Sequence, residues 1–383
     1  MDVYLDNSST TFPKPKQVLD GMYNYMLNVG GNAGRGNYNN SLQSNRFLYE
    51  AREIVSDFFG FTSPSNVIFT NNVTTSLNIL IKGLLKPGDH VVTSSMEHNS
   101  VLRPIISCKE LLGINLDIIN ADNLGFIDIS EFKSKITENT KLVVLTQASN
   151  VTGSIQNISE VGKICKEKGV FFIVDSSQGA GVLELNMNSV NANAVAFTGH
   201  KSLLGPQGIG GFIIDDKLNN NCRSIIQGGT GSLSYSLDQP DFLPDKFECG
   251  THNMPGIVGL SEGIKFINST GITTIYEHNH YLLKYLLDGL LNIDDVIIYG
   301  DSSGKNITTC VSINMKSLDS SELGFLLEEQ GIKTRCGLHC APLAHKTIGT
   351  YPNGTVRLSI GYFNTKEEID YTLKTLNKIS LNK

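Results

Sequence analysis

One segment concentrates residue types suited to covalent chemistry. VAFTGHKSLLGPQGIGGFII, residues 195–214, holds His200 and Lys201 between two apolar runs and among five glycines. A lone lysine in a hairpin is ordinarily solvated. A lysine that condenses with an aldehyde must lose its proton near neutral pH, which burial and polar crowding allow. Glycines let the backbone approach a bulky group closely. A second segment, TRCGLHCAPLAH (334–345), carries Cys336, His339 and Cys340. A nucleophilic thiol there needs thiolate character, and Arg335 and His339 are the neighbours able to promote it. The competing readings are a buried structural cysteine and a zinc site, whose usual ligand spacings this segment does not match. We assign no metal. A third candidate is Arg357 in VRLSIGYF, since a planar guanidinium binds a carboxylate in two places; a surface ion pair is its alternative. Asp175, closing FFIVD, suits a charge partner or a helix N-cap.

These residues sit on a regular alternation. Apolar residues Phe47, Ala51, Ile54, Val55 and Phe58 have helical spacing, with Gly60 as the stop. VIFT (67–70), VVTSS, INLDII, LVVLT (142–146) and VFFIVD (170–175) read as strands. SLNILIKGLL, Val101 to Leu112 and Ile158 to Lys168 read as helices between them. Short apolar strands alternating with amphipathic helices predict a largely parallel sheet covered on both faces. Ligands then bind beyond the carboxyl ends of the strands. The polar tails there are NNVTT, EHNS, QASN and DSSQ. After about Pro255 two long helical stretches lead into VIIYG and ITTCVSINM, which predict a smaller α+β domain. We expect a large domain over residues 15–255 and a small one from 1–14 and 256–383.

The lysine segment resembles the motif of class V aminotransferase-fold enzymes that use pyridoxal 5'-phosphate (PLP): Ser or Thr, x, His, Lys, then Gly-Pro-x-Gly-x-Gly. YLDNSSTT, FTNNVTTSLN, SSMEHNS, TQASNVTGSI, FIVDSSQGAG and ECGTHN resemble the same family's other motifs, in the same order and over nearly the whole chain. RCGLHCAPLAH resembles the nucleophile motif of group II cysteine desulfurases and selenocysteine lyases. The resemblance implies an α/β protein of PLP-dependent transferase fold type I, with a mostly parallel seven-stranded-type sheet between helices in its large domain.

It also implies roles. Lys201 would be the Schiff-base lysine and Cys340 the thiol that takes up sulfur as a persulfide while L-cysteine becomes L-alanine. His98 would stack on the pyridine ring and shuttle protons, and Asp175 would keep the ring nitrogen protonated. Asn150 and Gln178 would hold the ring hydroxyl. Thr74, Thr198 and His200 would bind the phosphate, with Thr74 at a helix N-terminus. Thr251 would reach the phosphate of the partner subunit, which implies a homodimer. Arg357, with Asn150, would bind the substrate carboxylate, and Arg35 would sit near the mouth of the site. Asn71, Asn72 and Thr75 depart from the family's common residues around Thr74.

Composition excludes little but narrows the setting. The 383 residues are 40% hydrophobic and 18% charged, with net charge -6 and no basic run, so neither nucleic acid nor an anionic membrane is expected as partner. Seven cysteines do not make a disulfide framework, and MDVYLDNSST reads as no secretory signal. The cytoplasm is the expected compartment. L-selenocysteine is the close alternative substrate, and a sulfur-acceptor protein, as in iron–sulfur cluster assembly, is an expected partner. Another PLP reaction on this fold (aminotransferase, epimerase or β-lyase) remains open, as does a non-catalytic scaffold.

Overall fold

The computed structural model describes residues 1–34, 36 and 38–382. Its central sheet has seven strands in the order Val67–Thr70, Gly210–Ile214, Ala194–Thr198, Phe171–Asp175, Thr140–Thr146, His90–Ser94 and Asn115–Ile119. Successive side chains divide between its faces. Phe69, Val92, Val143, Leu145, Phe172, Val174, Val195 and Phe197 enter one apolar cluster. Ile68, Val91, Leu142, Val144, Phe171, Ile173, Ala194 and Ala196 enter the other. Period-two packing on both faces explains why these strands are apolar throughout.

The expected parallel sheet is present, with one exception. Gly210–Ile214 runs antiparallel to both neighbours, Val67–Thr70 and Ala194–Thr198. No helix intervenes between residues 198 and 210, so the chain returns directly and reverses direction. That return carries Lys201. Gly211 is required here, because a Cβ on it would lie 2.4 Å from the Ile68 carbonyl oxygen.

A second sheet pairs Arg335–Gly337, Thr355–Ser359, Cys310–Met315 and Val296–Tyr299 in that order, all antiparallel. Its core includes Leu283, Leu286, Leu287, Val311, Ile313, Leu327, Val356, Leu358 and Leu376. Val3 and Leu5 join that core, and the strand Val3–Tyr4 pairs in parallel with Ile332–Lys333. Helix Met254–Thr270 packs Ile257, Leu260, Ile264 and Ile267 into the core of the large sheet. Helix Ile272–Leu290, beginning after Gly271, packs Leu282 to Leu290 into the small core. The first turns of this helix still place Ile275 in the core of the large sheet, so we propose that the expected large body (15–255) and small body (1–14 and 256–383) meet along it. No helix among the described residues is long and apolar enough to cross a membrane.

Candidate active site

The turn after strand Ala194–Thr198 is tied down by the N-terminal segment. The His200 carbonyl accepts from Thr11 N–H (3.1 Å), Thr10 Oγ1 (3.1 Å) and Lys14 Nζ (2.6 Å). The Lys201 carbonyl accepts from Thr11 Oγ1 (2.9 Å) and Leu204 N–H (2.8 Å). The backbone of Lys201 is thus fixed, and its amine lies close enough to Asp175, Arg357 and Arg335 to feel their charges. Burial of the amine pulls its pKa down to about 8, against the nearby Asp175 carboxylate and with the help of the Arg357 and Arg335 guanidinium groups. Beside it, Thr198 Oγ1 and His200 Nδ1 are buried with no hydrogen-bond partner.

Asp175 ends strand Phe171–Asp175 in full burial, which raises its pKa. Ser177 N–H (2.9 Å) and the Ser177 hydroxyl both donate to its Oδ1, and together with the Lys201 charge they pull the other way. Gln178 Nε2 donates to the Ser8 carbonyl at 3.1 Å. His98 is the N-cap of helix Asn99–Leu112. Its Nδ1 accepts from Ser100 N–H at 3.0 Å, so the neutral ring carries its proton on Nε2. Burial, then the charges of Lys201, Arg335, Arg357 and Arg103, lower its pKa to about 3.

Arg335 and Arg357 face each other across neighbouring strands. Like charges placed opposite repel, and among the described residues only Arg357 of the two has a carboxylate partner, Asp6. Arg357 Nη2 donates to Asp6 Oδ1 (2.9 Å) and Ser9 Oγ (2.8 Å), its Nη1 to the Asn150 carbonyl (3.0 Å), and its Nε is buried without a partner. Arg335 Nη1 also reaches Ser9 Oγ (3.3 Å), and its Nη2 lies 3.4 Å from Cys340 Sγ. The two cations therefore leave capacity for an anion.

Cys340 is exposed. It and His339 hold left-handed backbone angles, φ 58° and 48°, which cost non-glycine residues about 1–3 kcal/mol each. Two bonds from outside the strained turn hold it: Asn150 Nδ2 donates to the His339 carbonyl (2.7 Å), and Asn99 N–H to the Cys340 carbonyl (2.8 Å). The thiol loop is thereby anchored beside His98 and Asn150. His339 is not the cation expected next to the thiol. Its ring is buried, Nε2 meets Thr355 Oγ1 at 3.0 Å, and burial foremost holds its pKa down at about 2. Asn150 is likewise engaged by this loop through its amide nitrogen. Among the described residues no cluster of three His, Cys, Asp or Glu is arranged to hold a metal ion.

Two candidates, Thr74 and Thr251, are exposed. Thr74 is exposed in the first turn of helix Val73–Leu84, and the N-cap is Asn72, whose side chain accepts from Thr75 N–H at 3.0 Å. The cap falls there because the helix already begins at Val73, whose buried side chain lies one turn before Leu77. Thr251 is exposed at the rim of a cavity of about 200 Å³, lined also by Asn71, Thr75 and His252. The segment leading to it is tied through Glu248. Buried Glu248 accepts from Arg52 Nη1 (2.9 Å) and Phe69 N–H (2.6 Å) and meets His252 Nε2 at 2.6 Å. Arg35 lies outside the described residues.

Sequence reading missed Glu97, Asp6, Ser9 and Lys14. Glu97 adjoins His98, but only the tertiary structure buries it. Lys14 is largely buried with no carboxylate partner among the described residues, and burial lowers its pKa to about 7.

The neutral buried histidines predict an acid weakness. His98, His200, His339 and His345 have pKa values lowered to about 3, 4, 2 and 4, in each case by burial first, from 6.5. The unfolded chain binds more protons below pH 6.5, so stability is full above that pH and falls as the medium acidifies toward pH 4. In urea titrations at several pH values, His339→Gln should lose less stability than the parent between pH 6.5 and 4. Equal slopes would show that His339 is not held neutral.

The family model for class-V aminotransferases matches residues 3–372. The chain belongs to the class-V aminotransferase family. Within it, the chain is 36% identical over 384 residues to a probable cysteine desulfurase of Methanothermobacter thermautotrophicus, covering 99% of this chain and 94% of that protein. It is 31% identical to a cysteine desulfurase of Haloferax volcanii, covering 96% and 87%. The solved apo structure of a cysteine desulfurase from Thermococcus onnurineus superposes with TM-score 0.93 at 34% identity, covering 100% of this chain and 95% of that one. The fold type I architecture expected from the motifs is that of these neighbours.

Class-V aminotransferases imply PLP, and the residues fit it. An enclosed amine with a pKa near neutrality suits an aldehyde. A buried carboxyl at a strand end suits a ring nitrogen, and a neutral imidazole with Nε2–H free suits a ring face. The orphaned Thr198 hydroxyl and His200 nitrogen suit phosphate oxygens.

Proposed function

We propose that this chain is a PLP-dependent cysteine desulfurase: it converts L-cysteine to L-alanine and keeps the sulfur as a persulfide on Cys340, with L-selenocysteine as the close alternative substrate. One observation carries the reading. Arg335 lies opposite Arg357 and also touches Cys340 Sγ, so a single cation links the anion-binding pair to the exposed thiol, next to Lys201. An amino acid whose carboxylate is held by the arginines would carry its own sulfur toward Cys340.

Bound PLP supplies an electron sink for the substrate's α-carbon. Thr198, His200 and Thr74 would hold its phosphate, Asp175 its ring nitrogen, Gln178 and Asn150 its hydroxyl, and His98 one ring face. Lys201 Nζ, with its pKa near 8, takes the α-proton and can return it. The Cys340 thiolate attacks the substrate sulfur. An S–S bond forms, the C–S bond breaks, and the carbon that loses sulfur gains a proton to become the alanine methyl. A thiol reductant or acceptor protein then removes the outer sulfur. Thr251 would complete the phosphate site of a second copy. Seven free cysteines support a reducing compartment, the cytoplasm.

The test is to give the PLP-loaded protein L-cysteine and a thiol reductant. Alanine and sulfide should appear in equal amounts, and a persulfide on Cys340 when the reductant is left out. Pyruvate and ammonia instead of alanine would mean a β-lyase, D-cysteine an epimerase, and amino transfer to a keto acid an aminotransferase.

A further inference from the structure

We propose that Glu97 is a positioning residue, bridging the ends of strands His90–Ser94 and Thr140–Thr146 so that the turn carrying His98 is held in place. The side chain is fully buried at 0% exposure. One carboxyl oxygen, Oε1, accepts from Ser94 Oγ at 2.6 Å and from Thr146 N–H at 3.0 Å. Ser94 Oγ in turn accepts from Met96 N–H at 3.1 Å. Thr146 is the register partner of Asp175 on the next strand. The other oxygen, Oε2, is buried with no partner.

Three successive residues thus make three different ties. Glu97 binds the neighbouring strand end, the His98 ring binds Ser100, and Asn99 N–H binds the Cys340 carbonyl. Losing the first tie frees the base of the turn that orients both the imidazole and the thiol loop.

The acid does this work uncharged. Burial foremost, aided by the charge of Asp175, pushes its pKa up to about 8. Asp175 instead has two Ser177 donors and the Lys201 amine nearby. Two carboxyl groups whose surroundings differ this way separate into one neutral and one charged member. The negative charge facing the lysine then belongs to Asp175 alone.

This inference rests on the roles proposed above for His98 and Asp175, but two of its tests use the full chain without PLP. In the infrared difference between the parent and Glu97→Gln at pH 7, a protonated carboxylic acid band should appear, and it should vanish as the pH rises through about 8. Glu97→Ala should shift the His98 ring resonances in NMR, whereas Glu97→Gln, which keeps the Oε1 acceptor, should restore them. In PLP titrations the alanine variant should bind at least about tenfold more weakly than the glutamine variant. His98 resonances indifferent to Glu97→Ala in a folded chain would overturn the proposal, and a carboxylate band at pH 7 would overturn the neutral state assigned to Glu97. Failure of the parent chain itself to bind PLP would sink the functional reading and leave the infrared and NMR results standing.

Discussion

Lys201→Ala should carry no pyridoxyl group after borohydride reduction, while the parent carries one on the peptide containing residue 201. Mass spectrometry of the digests reads the difference directly. The expectation follows from the amine's setting. Its backbone is fixed by Thr11 and Leu204, its burial keeps the pKa near 8, and Asp175 acts on it as a nearby charge. A sizeable fraction of the amine is therefore neutral and nucleophilic near pH 7.5. Alanine formation from cysteine should fall by roughly 10³-fold or more, the scale of losing a proton-transfer group together with the covalent anchor. Stability should respond in the opposite sense. The folded pKa lies below the unfolded 10.5, so the parent gains stability as pH rises from about 8 to 10.5. The variant should lack that gain. A pyridoxyl mass on another lysine, with desulfuration intact, would remove Lys201 from the site.

Cys340→Ser should keep the cofactor and lose the sulfur chemistry. The side chain is exposed, so the substitution should change stability by no more than about 0.5 kcal/mol. The turn's strained angles are held by Asn150 and Asn99 through backbone carbonyls, which serine leaves in place. The Arg335 guanidinium would then face a hydroxyl, a far poorer acceptor for a sulfur atom. Alanine and sulfide from cysteine should drop by on the order of 10³-fold, with PLP absorbance unchanged. Desulfuration at the parent rate would show that another thiol, or none, receives the sulfur. Cys310 is the control. It is fully buried, burial raises its pKa, and its Sγ lies 3.7 Å from the Ser149 carbonyl, so it is not placed to release a persulfide to an acceptor.

Much of the site was legible in the chain because its groups lie at strand ends. Asp175 closes an apolar run, His98 and Asn150 follow others, and Lys201 stands on the return between two more. Parallel strands present their carboxyl ends on one side, so polar tails far apart in sequence gather there. The pairing of Arg335 with Arg357 was not legible. Their registry depends on a sheet whose strands are joined by a helix and a turn, and only the closed sheet sets the two cations opposite each other. Nor was the helix start at Val73 evident, because polar Thr74, Thr75 and Ser76 separate it from the apolar run that begins at Leu77.

The amino-acid sequence by itself determined the alternation of strands and helices, the lysine, the thiol and the order of the polar tails, because these rest on residue type and local period. Tertiary structure alone decided which neighbours carry charge. It buried Glu97 and His339 into neutrality, reversed one strand at the lysine turn, and brought Asp6 and Ser9 from the N-terminus to Arg357. Desolvation and long-range pairing arise only when distant segments close on one another, and no spacing along the chain encodes them.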